Sequence, residues 1–245
     1  MRVDATTVQL RPRPMFEAAD LGVRLVQANA GALLRSAGPV YLALVAFALA
    51  LLPLAPWAPY LALGLAKPWF DRSLLFVLSR ALFRLPCGWR DLWAARREVW
   101  WRGLLSSLTL RRLSPWRSYT QPVIQLEGLA GRALRQRLRQ VRGGHQGAAL
   151  AMAGAFWLVE SSLAAGLPAL AIWLVPGGEM GHAFRWAEIM HAGPLNAVLS
   201  LGAAAAIAIV EPCFVGAGFA MYVNRRVELE AWDVEQALRH AFAPA

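Results

Sequence analysis

PLNAVLSLGAAAAIAIVEPCFVGAGFAMYV, residues 194–223, runs for thirty residues with one charge, Glu211, before Asn224-Arg225-Arg226 closes it. About 20 apolar residues suffice for a helix to cross a bilayer. This stretch therefore predicts a membrane span, and the rest of the chain is read outward from it. Residues 147–175, ending at Pro176-Gly177-Gly178, are equally apolar apart from Glu160. Residues 37–54 form a third such stretch, followed by Pro56 and Pro59, where a tight turn is natural. Residues 59–83 form a fourth, interrupted by Lys67, Pro68, Asp71 and Arg72, so that full crossing and bending into the interface both remain open.

Composition agrees. Of the 245 residues 58% are hydrophobic and only 16% charged, yet the net charge is +10. The mean hydropathy is +0.42. A soluble domain is about a quarter charged. A chain both apolar and basic points to a membrane, with cations meeting anionic headgroups. Nucleic-acid-binding modules lack long apolar spans, so that class is set aside. Cys87 and Cys213 have no disulfide or zinc spacing. The N-terminus, with Arg2, Asp4, Arg11 and Arg13, does not read as a signal peptide.

The arginines set the orientation. Fifteen lie from Arg72 to Arg142, five from Arg2 to Arg35, and three more are Arg225, Arg226 and Arg239. The turn near Pro56 has none, and the 176–193 loop has only Arg185. The positive-inside rule then predicts four spans with both termini cytoplasmic. The fold class is an all-α integral membrane bundle of about four transmembrane helices with cytoplasmic amphipathic helices. Its segments are a cytoplasmic arm and amphipathic helix (1–36), a hairpin (37–83), arginine-rich interfacial helices (84–146), a second hairpin (147–224) and a C-terminal helix (225–245). Trp57 and Trp173 suit the outer interface.

The interfacial helices show helical spacing. Phe16, Val23, Val26, Leu33 and Leu34 share one face, and Trp89, Trp93, Trp100 and Leu104 form a stripe over 89–105. On a helix over 126–142, Ala130, Leu134, Leu138 and Val141 oppose Arg132, Arg135, Arg139 and Arg142. Those four arginines form a basic face for lipid phosphates, or for a cytoplasmic partner. Glu228, Glu230 and Asp233 mark the start of a further helix over 228–242.

Lys67-Pro68-Trp69-Phe70 and Glu211-Pro212-Cys213-Phe214 look alike, which suggests a parallel two-fold internal repeat. The repeat sets Lys67 and Glu211 at one depth, facing each other, with Glu160 as a third buried charge. Asp71, one turn after Lys67, is the alternative local partner. An unpaired charge at mid-bilayer costs roughly 2.5–3.5 kcal/mol. Pro68 and Pro212 each remove a backbone hydrogen bond and kink their helices. The cluster of Lys67, Asp71, Glu160 and Glu211 reads as a structural ion pair or as a proton or solute pathway.

No catalytic, cofactor or metal motif stands out. Glu179-x-x-His182 and Glu188-x-x-His191 would fall on opposite faces of one continuous helix, unlike the facing helices of di-iron bundles, and a loop could fold them together; a solvated outer loop is the expectation. No phosphate-binding glycine loop or nucleophile elbow occurs.

The block from Glu211 through Arg226 to Trp232-Asp233 resembles the C-terminal signature of a proteobacterial family of multi-pass inner-membrane proteins. Lys67-Pro68 to Arg80, and Leu113-Ser114-Pro115 to Leu126-Glu127-Gly128, resemble it too. Such proteins are encoded near MoxR-type ATPases and transglutaminase-like membrane proteins, which implies an envelope-associated assembly. The span pattern is more distantly similar to the membrane domain attached to some glycerophosphodiester phosphodiesterases, but the phosphodiesterase domain is absent and no activity carries over. The expectation is a non-enzymatic structural or assembly component, with a MoxR-type ATPase system and anionic lipids as partners. The alternative is a small transporter or proton-coupled channel using Lys67, Glu160 and Glu211.

Overall fold

The computed structural model describes residues 12–101, 114–174 and 193–230, and these are helical with no strand among them. Helix α1 (Met15–Ala28) is followed by α2 (Ala30–Leu49) and α3 (Ala58–Leu82). A short α4 (Trp89–Ala94) precedes a π-helical turn at Arg97–Trp101. Then come α5 (Arg117–Gln125), α6 (Gly131–Arg142), α7 (Gln146–Trp173) and α8 (Gly193–Glu230).

Three helices are long and apolar enough to cross a membrane: Ala30–Leu49, Gln146–Ala171 and Asn196–Glu230. α3, at 25 residues, has the length. Lys67, Asp71, Arg72 and Arg80 make it less apolar than the other three. The first apolar helix begins at Ala30, earlier than expected at 37, because Pro39 sits inside it without ending it.

α8 is the spine. α1, α7, α5 and α3 all pack on it. Its 38 residues make a rod of about 57 Å, well beyond the roughly 30 Å of a hydrocarbon core. The helix expected to start at Glu228 is instead continuous with α8, since nothing at Asn224-Arg225-Arg226 breaks the backbone. Residues 231–242 of that expectation lie outside the described residues, as do Arg2, Asp4, Arg11, Leu104, Glu179, His182, Glu188 and His191.

The buried face of α1 and α2 agrees only in part with the one expected: Val26 and Leu33 are buried, Phe16 and Leu34 are not. On α1, Met15, Ala18, Ala19, Gly22, Leu25 and Val26 face inward. The reason is Gly22. A Cβ there would fall on the backbone carbonyl of Gly216, so the α1 and α8 backbones touch, and small residues set the buried face. Asn224 secures the same contact: its amide oxygen accepts from the Arg13 N–H (2.9 Å) and its nitrogen donates to the Arg13 carbonyl (2.8 Å). Gly202 meets Pro168 of α7 in the same close fashion. The small residues at 202 and 216 thus serve internal packing.

The tryptophan-rich stretch is not one helix. α4 stops at Ala94, and Leu92 and Val99 turn inward onto Val40, leaving Trp93 and Trp101 exposed. Arg72 holds this break in place, its Nη1 donating to the carbonyls of Val99 (3.2 Å) and Trp100 (3.4 Å). The Trp100 indole donates to Ser73 Oγ (3.0 Å). Between α5 and α6, Gly128 and Gly131 take φ of 65° and 61°, a left-handed turn that glycine adopts without steric cost.

Candidate functional site

Lys67 and Asp71 of α3, Glu160 of α7 and Glu211 of α8 meet at one place. Lys67, the chain's single lysine, projects from α3 and pairs with Glu160 of α7 and with Glu211 of α8, the latter at 3.0 Å. Glu211 is fully buried. Its other oxygen accepts from Arg117 at the start of α5. Arg117 Nε lies 3.5 Å from Asp71 Oδ2. The guanidinium also stacks over Phe214, 5.4 Å from the ring centroid. Lys67 therefore has its ion pairs with Glu160 and Glu211, and Asp71 has Arg117. Pro68 and Pro212 each lie inside their helices, next to Lys67 and Glu211. Tyr41 of α2 sits nearby and donates to the Ala204 carbonyl.

Four elements supply this network: α3, α5, α7 and α8. Desolvated charges of this kind are tolerable only when paired. Asp71 is the least satisfied member. Neither of its buried oxygens has a hydrogen-bond partner within the protein. Beside it lies a cavity of about 40 Å³, lined by Asp71, Arg72, Arg117, Thr120 and Gln121 among others, large enough for a water molecule. A larger cleft of about 370 Å³, sharing Ser114 and Arg117 with it, opens between α5, α7 and α8. Lys67, Arg117, Glu160 and Glu211 line its polar end, and Leu150, Gly154, Phe156, Trp157 and Phe214 its apolar walls.

Arg117 was not among the residues singled out from sequence. It stood in an interval of fifteen arginines, with nothing in its own neighbourhood to single it out. One signal was available: residues 118–126 carry no charge, although the chain on either side is arginine-rich. A charge-free stretch after Ser114-Pro115-Trp116-Arg117 is what a helix packed inward would show. α5 is such a helix. Tyr119 and Val123 are fully buried, and the Tyr119 hydroxyl donates to the Val141 carbonyl (2.7 Å), burial pushing its phenol pKa up.

A second cluster ties α6 to the end of α8. Arg137 donates to Glu127 (2.9 Å) and to Glu230. Arg226 donates to Glu230 (2.6 Å), and the Tyr222 hydroxyl to Glu127 (2.7 Å). Burial pulls the Arg137 pKa down, but the hydrogen bonds to Glu127 and Glu230 outweigh it and hold the guanidinium above its ordinary value. Glu230 thus pins α6, not the N-terminus of a new helix. With Leu134, Leu138 and Val141 buried, Arg132, Arg135 and Arg139 are exposed. Arg142 differs: it is half-buried, its guanidinium 5.3 Å from the Trp116 ring. Of the four arginines assigned to the basic face, three are open to the surroundings and one packs against α5.

Cys87 and Cys213 are free thiols. No group of three His, Cys, Asp or Glu residues is placed to hold a metal among the described residues.

The class this defines is an all-helical chain with three membrane-length apolar helices, two of which, α7 and α8, are tied to α3 and α5 by an ion-pair network of five residues: Lys67, Asp71, Arg117, Glu160 and Glu211. Comparison with protein-family models, with curated proteins and with solved structures gives no match to the chain.

Proposed function

We propose that the protein is a non-enzymatic component of the bacterial inner membrane that presents the arginine face of α6 to a cytoplasmic partner and to anionic headgroups. The observation that carries this reading is the clamping of α6. Arg137 bonds to both Glu127 and Glu230 while Arg132, Arg135 and Arg139 stay exposed. Holding a helix rigid while leaving Arg132, Arg135 and Arg139 exposed on it is a poor use of charge for stability alone, because exposed like charges repel. It is what a docking surface needs.

In this reading α3 is a fourth span, its charges neutralised inside the bundle, and both termini are cytoplasmic. Two halves of one repeat would then meet at the Lys67–Glu211 pair. The α1–α8 contact lacks an evident counterpart, since α6 packs mainly on α5 and α8. The basic surface suits an acidic face on an ATPase of the MoxR type, within an envelope-associated assembly. The test is affinity purification from native membranes. Wild-type protein should co-elute with the ATPase, and a variant carrying Arg132→Gln, Arg135→Gln and Arg139→Gln should lose it. Equal recovery with both would remove the docking role.

One observation favours a second reading, a small transporter. The 370 Å³ cleft reaches Lys67, Glu160 and Glu211 directly. Cysteine scanning along residues 196–214 of α8 distinguishes the two. A solute path gives periodic aqueous labelling, whereas a static bundle is protected on every face.

A further inference from the structure

The larger cleft has a charge pattern that selects a ligand. Its polar end carries two cations, Lys67 and Arg117, and two carboxylates, Glu160 and Glu211. These four charges cancel, and behind them the further carboxylate on Arg117, Asp71, is balanced by Arg72 on the wall of the smaller cavity. An anion or a cation entering alone would leave one buried charge uncompensated, at a cost of several kcal/mol. A zwitterion would not. The donors are in surplus: an ammonium has three and a guanidinium five, against two ion pairs made by each of Lys67 and Arg117. Those extra donors suit the oxygens of a phosphodiester. Glu160, a quarter exposed at 24%, has acceptor capacity for a primary ammonium.

The rest of the cleft is apolar, and its rim lies on the exposed flank of α7, where Leu150 is 49% and Trp157 71% exposed. On a membrane-length helix such a flank faces lipid chains. At about 370 Å³ the cleft falls within the usual range of small-ligand pockets, about 300–1,000 Å³. It accommodates a headgroup, with acyl chains left outside along Trp157 and Leu158.

We infer that the cleft between α5, α7 and α8 is a binding site for a phosphoethanolamine-headed lipid entering laterally from the bilayer. The phosphate meets Lys67 and Arg117, and the primary ammonium meets Glu160. Phosphocholine lacks N–H donors and phosphoglycerol lacks the cation, so both fit less well. The inference rests on membrane insertion of α7 and α8 and is independent of the docking role of α6.

Gly154 offers a clean test. It lines the cleft, and a Cβ built there meets no atom within 4 Å, so Gly154→Trp starts from open space and carries its ring into the cleft. The full chain, delipidated in detergent, would be titrated with short-chain phosphatidylethanolamine, phosphatidylcholine and phosphatidylglycerol and read by native mass spectrometry. Phosphatidylethanolamine is expected to bind at least about tenfold more tightly than the others. Gly154→Trp should abolish that preference while keeping the thermal transition. Glu160→Gln, which leaves the site with one excess cation, should shift the preference to phosphatidylglycerol and serves if the first variant does not fold. Equal binding of all three lipids, or unchanged selectivity in the folded variants, would overturn the site. Competition by soluble O-phosphoethanolamine as strong as that by the lipid would overturn its assignment to a membrane ligand.

Discussion

Lys67 carries more of this molecule than any other residue. It joins α3 to α7 and α8 through two carboxylates, and its removal leaves Glu160 without its ion pair and Glu211 with only Arg117. Breaking a buried pair from one side costs about 3–5 kcal/mol in soluble proteins. Lys67→Met should therefore lower the melting temperature in detergent by many degrees. Adding Glu160→Gln should restore part of it. Additive losses in this cycle would mean that the two side chains do not couple. Asn224 makes a smaller, separable contribution. Its amide bonds both polar groups of the Arg13 backbone, each such bond being worth about 1 kcal/mol. Asn224→Ala should cost about 1–2 kcal/mol and speed amide exchange at the start of α1, leaving α7 unaffected. Cys87 gives a third reading at this scale. Burial pushes its thiol pKa up, which lowers the thiolate fraction. Its alkylation near neutral pH should be slower than that of a free thiol, and slower still in Ser36→Ala, because the Ser36 hydroxyl pulls the thiol pKa down and its loss removes that offset.

At the scale of elements, close approach decides the packing. α1 meets α8 through Gly22 and Gly216, with no room for a Cβ at either. Gly22→Val must push the helices apart, and overpacking of this kind costs about 1–3 kcal/mol or more. Gly166→Ala on α7 is the control, since nothing lies within 4 Å of a Cβ there. It should be neutral or slightly stabilising through helix propensity. A melting curve of each separates them, and equal effects would contradict the close α1–α8 crossing. α6 was legible as a helix from its period, but over 126–142; it starts only at Gly131, because Gly128 and Gly131 take positive φ and turn the chain between α5 and α6. That Arg142 turns to Trp116, and that Arg137 reaches Glu127 and Glu230, was not legible, because periodicity assigns a side chain to a face and not to a partner.

For the molecule as a whole, topology is the open quantity that experiment settles most directly. A phosphatase reporter fused after Trp57 is expected to be active, and one after Pro115 inactive. Activity at Pro115 would invert the arrangement and with it the cytoplasmic role of α6. The sequence alone determined the helical class, the apolar stretches around Glu160 and Glu211, and the residues whose charge needed a partner. It could do so because hydropathy and helical period are local properties, written within some twenty residues. Only the tertiary structure decided that Lys67 serves two carboxylates at once, that Arg117 enters from a segment expected to lie at the surface, and that α1 packs through glycine. Those outcomes depend on which backbones approach one another, and distance between remote segments is not encoded in any local window.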